Sequence, residues 1–353
     1  MRKKTSIHDI ARHLKISATT ISFVLNGKAE EKRISEEVQK KILDYVASIG
    51  YQPNMVAKSL RTGRTNIIGM LVEDISDPFF SSISRAIEQI AYQHGYKIFY
   101  ASTENDTEKT KGLIKVFRDR QVDGYIIAPP PELETDIQAL MEDNVPVILF
   151  DRYFRSLTTT SVIIDNFSGS YKAVRHLEEN GFSNIGFVTI ESDQTQMSDR
   201  LQGYLKAVEE SEQIPYILKL PYRLSHELSA EEFIIDFIKE FPQIDAILFA
   251  TNYLAINGLK AMSHLHLSIP DDIGVVGFDD NTHFNLFSPS ITAVAQPIQE
   301  ISEEVVKQLM AALSNVEESK KRKTITLPVE LVVRNSSVAR VKENLPSRTI
   351  LMK

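Results

Sequence analysis

The chain has 353 residues, 42% of them hydrophobic, enough to bury more than one core, and no apolar run long enough to span a bilayer. It carries 40 Lys+Arg against 47 Asp+Glu, a formal net charge of −7, and no cysteine, which excludes disulfides and thiolate metal sites and agrees with a cytoplasmic setting. The charge is unevenly placed: residues 1–62 hold 12 Lys+Arg and 6 Asp+Glu, leaving 28 and 41 for the remainder, so a basic head precedes an acidic body.

Arg2, Lys3 and Lys4 open the chain, but Thr5–Arg12 is too polar for the apolar core of a signal peptide. Ser6 and Asp9 form a capping-box start, and Ile7, Ile10, Ala11 and Leu14 recur at helical spacing. Lys15-Ile16-Ser17 is a short break, with Ser17 placed to cap a second helix over Ala18–Leu25. Ile21, Val24 and Leu25 share one face of that helix, and Ala18, Thr19, Ser22 and Phe23 share the other. Two short helices across such a turn read as a helix-turn-helix, whose second member fits the major groove. A third helix is expected from Ser35 to Gly50, with Val38, Ile42, Tyr45, Val46 and Ile49 as its core stripe and Glu36 and Glu37 at its positive end. Pro53 then stops the chain, and Asn54 can cap a short helix through Arg61.

After a polar link around Thr62–Thr65, buried strand patterns alternate with helical ones. Strands are expected at Ile67–Val72, Lys97–Ala101, Tyr125–Ala128, Val147–Phe150, Val162–Ile164, Ile185–Val188, Ile247–Ala250 and Ile273–Phe278, with Thr324–Val333 extended near the end. Between them, Asp77-Pro78 opens a helix lined by Ile83, Ile87, Ile90 and Ala91. Further helices are expected at Glu108–Arg120, Ile137–Met141, Ser168–Asn180, Arg200–Glu210, Ala230–Lys239, Leu254–His264 and Ile298–Leu313. This alternation implies parallel sheets with right-handed crossovers, and its extent implies two lobes. Ser319–Lys323 reads as a solvated basic turn, and residues 341–353 as a loose tail.

The strings DIA–R–L–ISATTISFVLNG and GYQPNMVAKSLR, with the later NIIGMLVEDISDPFF and VVGFDD, resemble the lactose-repressor (LacI/GalR) family of bacterial transcription regulators. The resemblance covers nearly the whole chain. It implies a helix-turn-helix head (1–52), a hinge helix and linker (53–65), and a periplasmic-binding-protein-like effector and dimerisation domain (66–340) of two doubly wound lobes. Lobe 1 is expected at about 66–164 and 293–325, lobe 2 at about 165–292 and 326–340.

On the head, Thr5, Ser17, Thr20 and Ser22 carry hydroxyls able to bond phosphate oxygens, and Ala18 and Thr19 stand where base edges come within reach. Asn26 ends the same helix and is counted with them. Phe23 departs from the family pattern, which often has a basic or imidazole group able to bond guanine; it packs either on bases or on the neighbouring helix. The resemblance makes Asn54–Arg61 a minor-groove hinge helix, with Leu60 as the wedge at the central base step, Ala57 permitting close approach of two hinges, Asn54 as cap, and Lys58 and Arg61 near phosphates. A dimer reading an inverted repeat follows from two such heads.

In open α/β lobes, ligands bind where strand ends face a crevice. That rule, with the resemblance, selects Asp77, Phe79, Asp151, Gln196, Arg200, Asn252 and Asp279 as effector contacts; an acid among them can equally be a helix cap or an interlobe ion-pair partner. Such a set suits a sugar or related metabolite. Tyr253 stands where relatives commonly have Asp, and Asp77 where Asn is commoner, so the effector is not inherited from the family. Two other classes compete. An enzyme is disfavoured by the lack of a Walker loop, GxGxxG after a strand, HExxH or GxSxG; no cofactor or metal is implied, His264 and His266 reading as solvated. A transport sugar-binding protein is disfavoured by the basic head and the polar N-terminus.

Overall fold

The computed structural model describes residues 5–51, 63–225, 229–314 and 322–338. The expected hinge helix with Pro53, Asn54, Ala57, Lys58, Leu60 and Arg61 lies outside the described residues, as do most of the basic turn and the tail. The chain divides into two compact units, residues 1–65 and 66–353.

Among its described residues the first unit holds three helices, Ile7–Leu14, Ala18–Leu25 and Glu36–Ser48. Ser6 and Asp9 close a reciprocal capping box on the first helix, and Lys15 ends it in the left-handed conformation, φ 55°. Ser17 then caps the second helix by accepting the Thr20 N–H at 3.0 Å. Ile10, Ile21 and Ile42, one from each helix, meet in the centre with no exposed surface. Ile49 caps the third helix and is largely exposed, so the core stripe ends one turn earlier than expected.

The second unit contains two six-stranded sheets. The first has the order β11-β5-β4-β3-β1-β2, where β1 is Ile67–Val72, β2 Lys97–Ser102, β3 Gly124–Ile127, β4 Val147–Phe150, β5 Thr160–Ile164 and β11 Thr324–Leu327. The second runs β12-β10-β9-β8-β6-β7, where β6 is Ile185–Ile190, β7 Tyr216–Leu220, β8 Ala246–Phe249, β9 Gly274–Phe278, β10 Thr292–Ala295 and β12 Glu330–Val332. The central strands are apolar throughout because helices cover both faces of each sheet. All pairings are parallel except β10 with β12, which corrects the expectation of purely parallel sheets.

Three crossings join the lobes: at Asp165 after β5, at Gln296-Pro297 after β10, and at Pro328-Val329 between β11 and β12. The second and third fall a few residues later than the boundaries expected at 292/293 and 325/326, because β10 stays in the second sheet and β11 in the first. The sequence reading also passed over β7 and β10, and it placed Arg200 at a helix start. The helix instead spans Thr195–Glu210, which puts Arg200 in its second turn.

That helix packs closely on Asn166–Glu179, and the contact depends on a missing side chain. A Cβ on Gly203 would fall well inside van der Waals contact distance of the Phe167 carbonyl oxygen, which belongs to backbone and cannot turn away. Gly112, in the helix Thr107–Asp119, faces open space. Gly203→Ala should therefore destabilise the core by about 1–3 kcal/mol in urea denaturation. Gly112→Ala should instead stabilise it by about 0.5–1 kcal/mol through helix propensity.

Candidate functional site

In the head, the second helix turns Ile21 and Val24 into the core and leaves its other face open. Thr5, Ser17, Thr19 and Asn26 are exposed, and Ala18, Thr20, Ser22 and Phe23 are half-buried. Several of these groups are already engaged. The Ser17 and Thr20 hydroxyls lie 2.8 Å apart, and Asn26 donates to the Ser22 carbonyl at 2.6 Å. Phe23 has Lys32 Nζ 5.6 Å from its ring centroid, an attraction that holds the ring at the surface near a cation. His13 stacks on Tyr45 at 4.4 Å and braces the first helix on the third.

In the core, residues at the carboxyl ends of strands from both sheets form one buried polar cluster. Arg152, just beyond β4 in lobe 1, has 4% of its surface exposed. It donates to Asp151 at 2.8 Å and Glu73 at 2.5 Å within lobe 1, and across the crevice to Gln194 at 3.1 Å. Gln194 in turn donates to Asn105 at 3.1 Å and to the Pro129 carbonyl at 3.2 Å, both in lobe 1. Burial opposes the Arg152 charge, but Glu73 and Asp151 outweigh it and hold the guanidinium protonated. Burial pushes Asp151 up, against the pull of Arg152 and Arg200. The Tyr222 hydroxyl also bonds Glu73.

Arg200 is the corresponding charge on the lobe 2 side, 1% exposed. Its Nε donates to Asn166 at 2.8 Å, Nη1 to the Ala250 carbonyl at 2.5 Å, and both terminal nitrogens approach Asp279 at 3.4 Å. The guanidinium also lies 3.6 Å from the Phe278 ring centroid. Gln296, on the second crossing, donates to Asp279 at 2.5 Å.

Of the seven expected crevice residues, Asp151, Arg200, Asn252, Asp279, Gln196 and Phe79 are buried, and Asp77 is half-buried. Asp77 caps the helix Pro78–Gln93 by accepting the Phe79 N–H at 2.8 Å and the Phe80 N–H at 3.4 Å. Its carboxylate also takes the Asn252 side chain from lobe 2 and faces the charge of Asp279. Gln196 is buried with its Oε1 unpartnered. Tyr253 is half-buried and interacts with Glu73 and Thr251.

The sequence reading missed Glu73, Asn105, Arg152, Gln194, Tyr222 and Gln296 as crevice residues. Glu73 and Gln296 each follow a strand directly and Arg152 stands one residue beyond that position, the same signal that selected Asp151 and Asp279.

Two measurements follow. Arg152→Met removes the cation paired with buried Glu73 and Asp151 and should cost about 3–5 kcal/mol in urea denaturation of the core. Asp77 is raised from its ordinary 3.8 to about 7, first by burial and then by Asp279, with bonds from Phe79, Asn252 and Phe80 opposing. The folded state therefore keeps this proton over a range where the unfolded chain has lost it, so stability falls as pH rises from about 4 to 7. Asp77→Asn should melt higher than the parent above about pH 7, and the difference should vanish near pH 4, in thermal scans across that range.

Residues 6–54 match the family described as bacterial regulatory proteins, lacI family, and residues 174–337 match a periplasmic binding protein-like domain. The HTH-type transcriptional regulator DegA of Bacillus subtilis (strain 168) is 32% identical over 338 residues, covering 95% of this chain and 98% of that protein. The ribose operon repressor of Halalkalibacterium halodurans is 30% identical over 333 residues, covering 94% and 97%. In fold, the crystal structure of the lac repressor dimer bound to operator and the anti-inducer ONPF superposes with a TM-score of 0.83 at 23% identity, covering 96% of this chain and 100% of that one. The head, the two-sheet core and this full-length similarity make the chain a member of the lacI family of bacterial DNA-binding transcription regulators.

Proposed function

We propose that this regulator is a cytoplasmic repressor that binds a pseudo-palindromic operator as a homodimer and answers to a small-molecule effector, a sugar or related metabolite, held between the core lobes. The observation that carries the reading is the buried polar cluster in which Asp151, Arg152, Arg200 and Asp279 meet with Gln194 and Asn252 at the strand ends of both lobes. Hydroxyl-rich molecules exchange hydrogen bonds with such a set at modest desolvation cost.

A ligand that favours one arrangement of the lobes over another shifts the population between them. Changed spacing of the two hinge segments (53–65) then biases formation of the hinge helices, and with it operator affinity. A coupling of about 1–3 kcal/mol corresponds to roughly 5–150-fold in affinity. Head contacts divide into phosphate positioning by Thr5, Ser17, Thr20, Ser22, Lys58 and Arg61, base reading by Ala18, Thr19, Phe23 and Asn26, and deformation of the central step by Leu60. The homodimer reading takes support from the two-fold logic of inverted repeats and from the relative crystallised as a dimer on operator.

Selection of bound DNA from a random pool by the full-length protein should return an inverted repeat with a pyrimidine–purine centre. Leu60→Ala should weaken binding to the selected site and flatten the preference at that centre. Loss of residues 1–62 should abolish DNA binding while leaving ligand binding. Selected sites without two-fold symmetry, or DNA binding by the truncated chain, would overturn this division of roles.

A further inference from the structure

The crevice is not balanced in charge. Arg152 is paired with Glu73 and Asp151, and Arg200 is set against Asp279. Asp77 is left over: among the described residues no cation is recorded on it, and its partners are the helix-cap N–H groups and the Asn252 amide. It also faces Asp279 from the opposite lobe, so burial and then repulsion by that carboxylate keep a proton on Asp77 toward neutral pH, a proton that a cation beside it would release. Burial strengthens that repulsion because water is not there to screen it.

A second, independent observation points to a ligand in the same place. Gln296, 9% exposed, spends its amide nitrogen on Asp279 and leaves Oε1 without a partner, and Gln196, 3% exposed, also has an unpartnered Oε1. Buried side-chain oxygens without donors are uncommon, since each forfeits its hydration. A molecule that supplied N–H or O–H donors here would satisfy both. The unmet demand of the crevice is therefore for hydrogen-bond donors and for positive charge, and both arginines are already committed to carboxylates.

We propose that the crevice takes a cationic polyol, a hydroxyl-bearing molecule with an ammonium group set against Asp77 and Asp279. The inference rests on the crevice being the effector site and adds the charge class of the ligand. The ammonium offers three donors and relieves the confrontation of the two acids, while the hydroxyls meet Gln196, Asn252 and Gln296. A sugar phosphate or sugar acid would set a further negative charge against Asp77 and Asp279 and is disfavoured by the same accounting.

The test is isothermal titration of the full-length protein near neutral pH with matched sets differing at one group: D-glucosamine, D-glucose and D-glucuronate; D-galactosamine, D-galactose and D-galacturonate; glucamine, sorbitol and gluconate. In at least one set the amine should bind about tenfold tighter than the neutral member, with the acid weaker still. Asp77→Asn keeps a good helix cap, so the fold is retained, and it should reduce that preference to about one. The proposal is overturned if no amine binds, if neutral or acidic members win in every set that binds, or if the preference survives in Asp77→Asn. Asp279→Asn separates the two readings. Binding that is unchanged in this variant removes the crevice as the effector site. Binding that is lost in it, but favours neutral sugars in the parent, leaves the site standing and removes only the charge class.

Discussion

Arg152 is a permanent cation enclosed on nearly every side, and two lobes contribute to its enclosure. A guanidinium with so little water must be surrounded by acceptors, and here Glu73, Asp151 and Gln194 provide them. Because Gln194 belongs to the other lobe and also bonds the Pro129 carbonyl, the arrangement of the lobes and the solvation of this charge are one problem. Separating the lobes takes away part of that solvation. Any ligand entering the crevice has to replace what it displaces, which makes the site sensitive to the donors and acceptors a ligand carries rather than to its size alone.

The same reasoning explains why lobe 2 places Arg200 where it does. Its guanidinium is fixed by Asn166, the Ala250 carbonyl and the face of Phe278, so the side chain is oriented before anything binds. Asp279 is held from the other side by Gln296, a residue of the crossing itself. A pre-set arginine and carboxylate would lose little conformational entropy on engaging a ligand of the class proposed above.

Much of this was legible in the sequence, and the reasons are local. Ser6-Asp9, Ser17 and Asp77 announce helix starts because their side chains bond the backbone a few residues ahead, an interaction needing no tertiary partner. The strands Ile67–Val72 and Val147–Phe150 stand out because both faces are covered. Tyr216–Leu220 did not stand out: it is an edge strand with Lys219 exposed, and its pattern is short and mixed. Thr195–Asp199 looked like loop because its polar side chains serve the crevice rather than a helix surface. Asp77 and Asp279 were found by the strand-end rule, whereas the links from Arg152 to Gln194 and from Gln296 to Asp279 join residues brought together only by two separate sheets.

The three lobe crossings have a geometric consequence. They leave from β5, β10 and β11, strands at the β11–β5 end of one sheet and the β12–β10 end of the other. Chain joined along one side behaves as a door hung on its frame: swinging is cheap, sliding is resisted. In strand order the β2 and β7 margins lie farthest from that side and Gln296 lies on it, so a rotation of the lobes about the crossings would carry the margins through the larger arc. A small wedge near the pivot thus becomes a large displacement at the rim.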